Sequence, residues 1–144
     1  KDPAKLRTWI VNARRENEKD IADAAFRRLA DILPSEKPGT VEFDFWRTLH
    51  AFELLLTEEN GRTTRLSRTR QKVGRVGVTQ TLTDWSSDTK ETRGFAMLLE
   101  RGMPELTGEA IVLRHPSDFS DTVRASARQR LVEAGVDVDQ LPNA

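Results

Sequence analysis

The sequence predicts an all-α protein, an irregular bundle of about seven helices, on three observations. Apolar residues recur at steps of three and four along most of the chain, no segment alternates convincingly with period two, and proline, glycine and asparagine cut the chain into helix-sized lengths. One core suffices for 144 residues, because a chain of this size buries roughly 68% of the surface its unfolded form exposes. The expected organisation is a single helical domain over residues 1–135, followed by a loose tail or linker at 136–144. The chain opens at Lys1 rather than Met, so a processed form or a piece of a longer protein is expected.

Asp2-Pro3 starts the first helix: the carboxylate accepts from free backbone N–H groups, and proline at the first helical position loses only a donor that had no partner. Leu6, Trp9, Ile10 and Ala13 follow at helical spacing. Polar residues 14–20 are a weak point before a second helix, in which Ile21, Ala24, Ala25, Arg28, Leu29 and Ile32 continue the period up to Pro34. Residues 34–39 form a loop. Thr40 caps a third helix in which Phe45, Leu49, Phe52 and Leu56 give the strongest amphipathic pattern of the chain, and Asn60-Gly61 stops it.

A fourth helix is expected from Thr63 or Thr64 to Gly77 and a short fifth over residues 78–85; residues 76–82 are the nearest approach to a strand pattern. After a polar linker at 86–89, residues 92–101 carry Phe95, Leu98 and Leu99. Pro104 opens a further stretch through Leu113, which Pro116 ends. A last helix from about Asp118 to Ala134 holds Phe119, Val123, Ala127 and Leu131. The helix-turn-helix stretch at residues 94–112 has no second copy at a fixed period, so this is not a repeat fold. Trp9, Trp46 and Trp85 read as core or half-buried anchors.

Several functional classes are set aside by composition. No cysteine means no disulfide framework, thiolate metal site or cysteine nucleophile, and fits a reducing, cytoplasmic setting. The longest apolar runs are a few residues, far short of the ~20 a membrane span needs. Neither His50 nor His115 has a second histidine within four residues; His50 reads as a partly buried structural residue and His115 as a helix-end residue facing free carbonyls. Glu105 and Glu109, four apart, would share a helix face, the minimum for a two-carboxylate site, yet ordinary surface glutamates have the same spacing. Asp88-Thr89-Lys90 supplies half of an acid-x-lysine nuclease pattern in the wrong context, a polar loop. No phosphate-binding glycine loop or nucleophile elbow appears, and no catalytic residue, metal or cofactor is assigned.

One feature rises above this background. Formal charge is zero, from 23 basic and 23 acidic residues, but the charges are segregated: residues 1–61 are net −2, residues 62–83 net +6 and residues 84–144 net −4. The central block holds Arg62, Arg65, Arg68, Arg70, Lys72 and Arg75, and no Asp or Glu lies between Asn60 and Asp84. On a continuous helix Arg65, Arg68, Lys72 and Arg75 fall within about 80° of arc, with Leu66 and Val73 on another side as the anchor. Arginine suits bidentate phosphate contacts, and the threonines, Ser67 and Gln71 add further donors to phosphate oxygens. With a turn at residues 74–77 and a following short helix, residues 63–85 have a helix-turn-helix outline. The expected function is binding of nucleic acid, duplex DNA above single strands because stacking aromatics are missing from the run, as part of a larger DNA-processing or regulatory protein. The alternative is a protein-interaction or dimerisation module whose basic stripe meets an acidic partner, or is neutralised by its own acidic neighbours such as Glu58, Glu59 or the net-negative C-terminal half.

Overall fold

The computed structural model describes residues 2–88 and 92–142; every regular element among them is helical. The helices are α1 (Pro3–Arg15), α2 (Lys19–Ile32), α3 (Val41–Asn60), α4 (Ser67–Val76), α5 (Val78–Ser87), α6 (Arg93–Glu100), α7 (Gly108–Arg114) and α8 (Asp121–Glu133). Single 3-10 turns lie at Pro104–Leu106, Pro116–Asp118 and Val138–Gln140. The all-α expectation therefore holds, and residues 76–82, the nearest to a strand, are helical on both sides of Gly77. No helix among the described residues is long and apolar enough to cross a membrane.

The expected caps form where the side chain can reach. Asp2 Oδ1 accepts from the Ala4 N–H at 2.9 Å, and the hydroxyls of Thr40, Thr92, Thr107 and Ser120 accept from the N–H three residues on, at 3.1–3.2 Å. Each such cap contributes about 1 kcal/mol. Two of them move helix starts from their expected places. Pro104 opens only one 3-10 turn before Thr107 caps α7, and α8 begins after Ser120 rather than at Asp118. Asn17, at φ 57°, breaks the chain between α1 and α2 where the polar run predicts it.

α3 is the axis of the fold. Its C-terminal half gives Ala51, Phe52 and Leu55 to a core shared with Leu6 and Ile10 of α1, Phe26 and Leu29 of α2, and Leu98 of α6. Its N-terminal half gives Val41, Phe45 and Leu49 to a second core with Leu82 of α5, Ile111 and Val112 of α7, and Val123 and Ala127 of α8. Trp85 joins the two, its ring 5.4 Å from Phe45 and 5.7 Å from Phe52 between centroids. Full burial of each such phenylalanine or leucine is worth about 1.5–3 kcal/mol.

The first helix buries Leu6, Ile10 and Ala13 as the sequence reading expects, whereas the buried face of the second is shifted. α2 buries Ala22, Ala25, Phe26 and Leu29, while Ile21, Ala24 and Arg28 face outward. Trp9 is likewise no core anchor: it is 61% exposed, whereas Trp46 and Trp85 are half-buried. Small Ala22 and Ala25 let α1 and α2 approach closely as a hairpin, which buries the expected Leu6, Ile10 and Ala13 and leaves Trp9 outside.

Candidate nucleic-acid interface

The basic segment is delimited by two glycines with positive φ. Gly61 (φ 71°) ends α3 and Gly77 (φ 89°) is the whole connection between α4 and α5, backbone states that a side chain would strain. Between Gly61 and α4, residues 62–66 are not helical. The Thr64 N–H donates to Thr57 Oγ1 at 2.9 Å, and Asn60 Nδ2 donates to Thr64 Oγ1 at 3.1 Å. These bonds fold the loop back on α3. The fourth helix therefore starts at Ser67, and Arg65 precedes it, so the expected stripe of Arg65, Arg68, Lys72 and Arg75 on one helix does not form.

α4 has no side-chain N-cap and buries no residue fully; it is pinned from below. Glu53, 8% exposed on α3, accepts from the Leu66 N–H at 2.7 Å, and so places a negative charge at the N-terminal end of the α4 dipole. The same carboxylate accepts a bidentate pair from Arg70, Nε at 2.8 Å and Nη2 at 2.7 Å. The Arg70 guanidinium also lies 5.4 Å over the Trp46 ring. Burial pushes the Glu53 carboxyl up, but the hydrogen bonds from Arg70 and Leu66 outweigh it and hold the pKa below the ordinary glutamate value. Leu66 and Val73 pack beside this clamp.

The six cations thus separate. Arg70 belongs to the clamp. Lys72 Nζ lies 2.6 Å from Asp84 Oδ2 of α5, a carboxylate that Gln80 also contacts at 2.8 Å. The Lys72 bond, then the Gln80 bond, lower the Asp84 pKa. Arg62, Arg65, Arg68 and Arg75 are exposed and have no carboxylate within salt-bridge distance among the described residues. Arg68 and Arg75, seven residues apart, share the outward face of α4 at a rise of about 10 Å.

Of the acids that the sequence offers as neutralisers, Asp84 of the C-terminal part holds Lys72, whereas Glu58 and Glu59 are occupied elsewhere. Glu58 pairs with Arg14 at 2.7 Å and Arg101 at 3.2 Å, and Glu59 pairs with Arg93. Two α-helices do flank a tight turn, but with roles opposite to a DNA-reading helix-turn-helix, whose second helix enters the groove. Here the second helix, α5, carries no cation and turns Val78, Thr81, Leu82 and Ser86 into the core, while the first, α4, is basic and exposed.

The carboxylate candidates come apart. Glu105 lies in the 3-10 turn and pairs with Arg27 at 2.8 Å, whereas Glu109 is 2% exposed in α7 and pairs with Arg130 at 3.0 Å. They do not share a helix face. Of Asp88-Thr89-Lys90, Thr89 and Lys90 lie outside the described residues. His115 faces a carboxylate rather than helix carbonyls: its Nε2 is 2.6 Å from Asp44 Oδ2. Asp44, 4% exposed, also accepts from Arg114 at 3.0 Å and from Arg47 at 3.4 Å, a buried cluster that the sequence reading missed.

Glu53 was legible in part, since it stands within the apolar stripe of the third helix, 40° from Leu49 at 100° per residue. Arg70 likewise falls on the Leu66 and Val73 side of α4. No family model, no curated protein and no solved structure matches this chain.

Proposed function

We propose that residues 62–76 dock on the phosphate backbone of duplex DNA, with Arg62, Arg65, Arg68 and Arg75 as the contacting groups, in a cytoplasmic protein that processes or regulates DNA. One observation carries the reading: four exposed guanidinium groups stand on one short segment without an acidic partner among the described residues, although Glu58, Glu59 and Glu53 are close in sequence or space and all engaged. Unrelieved repulsion among neighbouring cations is relaxed by a polyanion, which also gains entropy by releasing condensed counterions. The clamp under α4 supports this use, because it fixes the helix from its inner face and leaves the outer face free. Trp46, an aromatic ring beside the segment, is covered by Arg70, which favours backbone contact over base stacking.

The test is fluorescence anisotropy of a labelled duplex of roughly 20 bp titrated at several salt concentrations, where four phosphate contacts predict a log–log slope near −3.6. Absence of binding at low salt contradicts the proposal and transfers the four cations to an acidic protein partner.

A further inference from the structure

Beside the basic loop, a cleft of about 290 Å³ opens between α1, α3, residues 63–65 and α4. Its polar walls are Arg7, His50, Thr57, Thr63, Arg65 and the Glu53–Arg70 pair. Within that pair the charges cancel through two hydrogen bonds. Arg7 and Arg65 remain, both exposed and both without a carboxylate partner among the described residues. Thr57 Oγ1 accepts from the Thr64 N–H, which leaves its own hydroxyl proton to donate. Neither ring nitrogen of His50 has a hydrogen-bond partner among the described residues. The cleft is thus concave and rich in donors, and of the charged groups lining it Arg7 and Arg65 are two cations for which no lining carboxylate is left, Glu53 being taken by Arg70.

We infer that this cleft seats a phosphomonoester group, with Arg7 and Arg65 as its counter-charges and Thr57, Thr63 and His50 as further hydrogen-bond donors. The charge count selects the ligand: a phosphomonoester carries about −1.5 to −2 at pH 7 and offers three strong acceptor oxygens, whereas a backbone phosphodiester carries a single charge. Concavity points the same way, since a terminal phosphate can enter a cleft and an internal one in a duplex meets an outward helix face such as that of Arg68 and Arg75. Two sources have this chemistry, a phosphorylated strand end and a free phosphorylated small molecule. The strand-end source rests on the DNA reading through Arg65, which both sites share; the phosphate site itself does not.

His50 is the natural reporter. Burial lowers its pKa, Arg70 and Arg7 lower it further, and Glu53 and Glu36 raise it; Arg65 faces the same cleft from the loop. A bound dianion favours the imidazolium and shifts that pKa upward. His115, held by Asp44 on the other side of α3, is the internal control.

The experiment follows the ring resonances of both histidines by NMR as inorganic phosphate replaces chloride at constant ionic strength. The expected result is movement of the His50 signals and an upward shift of its titration, with His115 unmoved. Arg7→Ala and Arg65→Ala each weaken phosphate about tenfold, the loss of one charged hydrogen-bond partner, while Arg28→Ala, outside the cleft, leaves it unchanged. Because Arg7 and Arg65 are exposed and unpaired, both variants fold. A His50 signal that ignores phosphate, or a response that survives in the double variant, overturns the site. In a second arm, duplexes ending in a 5′-phosphate or a 5′-hydroxyl are compared: tighter binding of the phosphorylated duplex, lost in Arg7→Ala, assigns the strand end. Equal binding with the inorganic phosphate response intact supports the site with a small-molecule source. Phosphate binding without any DNA binding leaves this site standing and removes the reading of residues 62–76.

Discussion

The Asp44 cluster and the α4 arm use the same residue type in opposite ways. Around Asp44, Arg114 and Arg47 of two helices and His115 converge on one buried carboxylate, and the Arg114 side chain is only 4% exposed. Along α4 and its loop, Arg62, Arg65, Arg68 and Arg75 meet no carboxylate among the described residues and stay in solvent. The difference lies in the partner, since burying a guanidinium is costly unless a carboxylate offsets its charge and acceptors take its N–H groups. Arg114 has both, Asp44 and the Glu105 carbonyl at 2.7 Å. Arg70 shows the boundary within one helix: it belongs to the basic segment by sequence and to the buried clamp by structure.

Removing the partner should therefore cost most where the cation is most buried. Asp44→Ala strands Arg114 and is expected to lower unfolding free energy by about 3–5 kcal/mol, the cost of an uncompensated buried charge, read from urea denaturation. A loss under about 1 kcal/mol, typical of an exposed pair, would break the comparison. Glu53→Gln comes next, at about 1–3 kcal/mol, because the half-covered Arg70 loses a charged partner while the amide can still accept from the Leu66 N–H.

Acid sharpens the same point. The Glu53 pKa is held below 4.5 in the fold, so its contribution is full above the unfolded value and is lost as pH falls through the lower, folded one. The stability gap between wild type and Glu53→Gln should then be constant near neutrality and shrink below about pH 4.5. A gap that widens on acidification contradicts the assignment. At the other extreme, the paired reversal Arg68→Glu with Arg75→Glu should change stability by no more than about 0.5 kcal/mol, as for surface positions without partners, while it removes DNA binding. A large destabilisation would mean that these arginines have structural partners after all.

Local features were legible in the sequence, and pairings across distance were not. Thr40, Asn60-Gly61 and the Phe45–Leu49–Phe52 stripe announce the third helix because cap, stop and period all act within a few residues. The six-cation run was visible as a count, but its division was hidden. Glu53 lies 17 residues from Arg70, and Asp44 lies 70 and 71 residues from Arg114 and His115, separations at which only the packed helices decide who meets whom. Arg65 fell outside the helix for a similar reason: Glu53 and Thr57 of α3 bind the Leu66 and Thr64 N–H groups and fix where α4 can begin. In α2 the period was right and its phase wrong, because alanines pack as well as isoleucine when two helices approach closely, and no local signal separates the two choices.

A carboxylate partner decides which cations hold the fold and which are offered outward. The most direct measurement compares the salt dependence of duplex binding for Arg68→Ala and Lys72→Ala, neighbours on the same face of α4 that differ in having Asp84 as a partner. Loss of a phosphate contact should flatten the log–log slope by about 0.9 for Arg68→Ala and leave it unchanged for Lys72→Ala. Equal flattening by the two variants, or by neither, would contradict the claim.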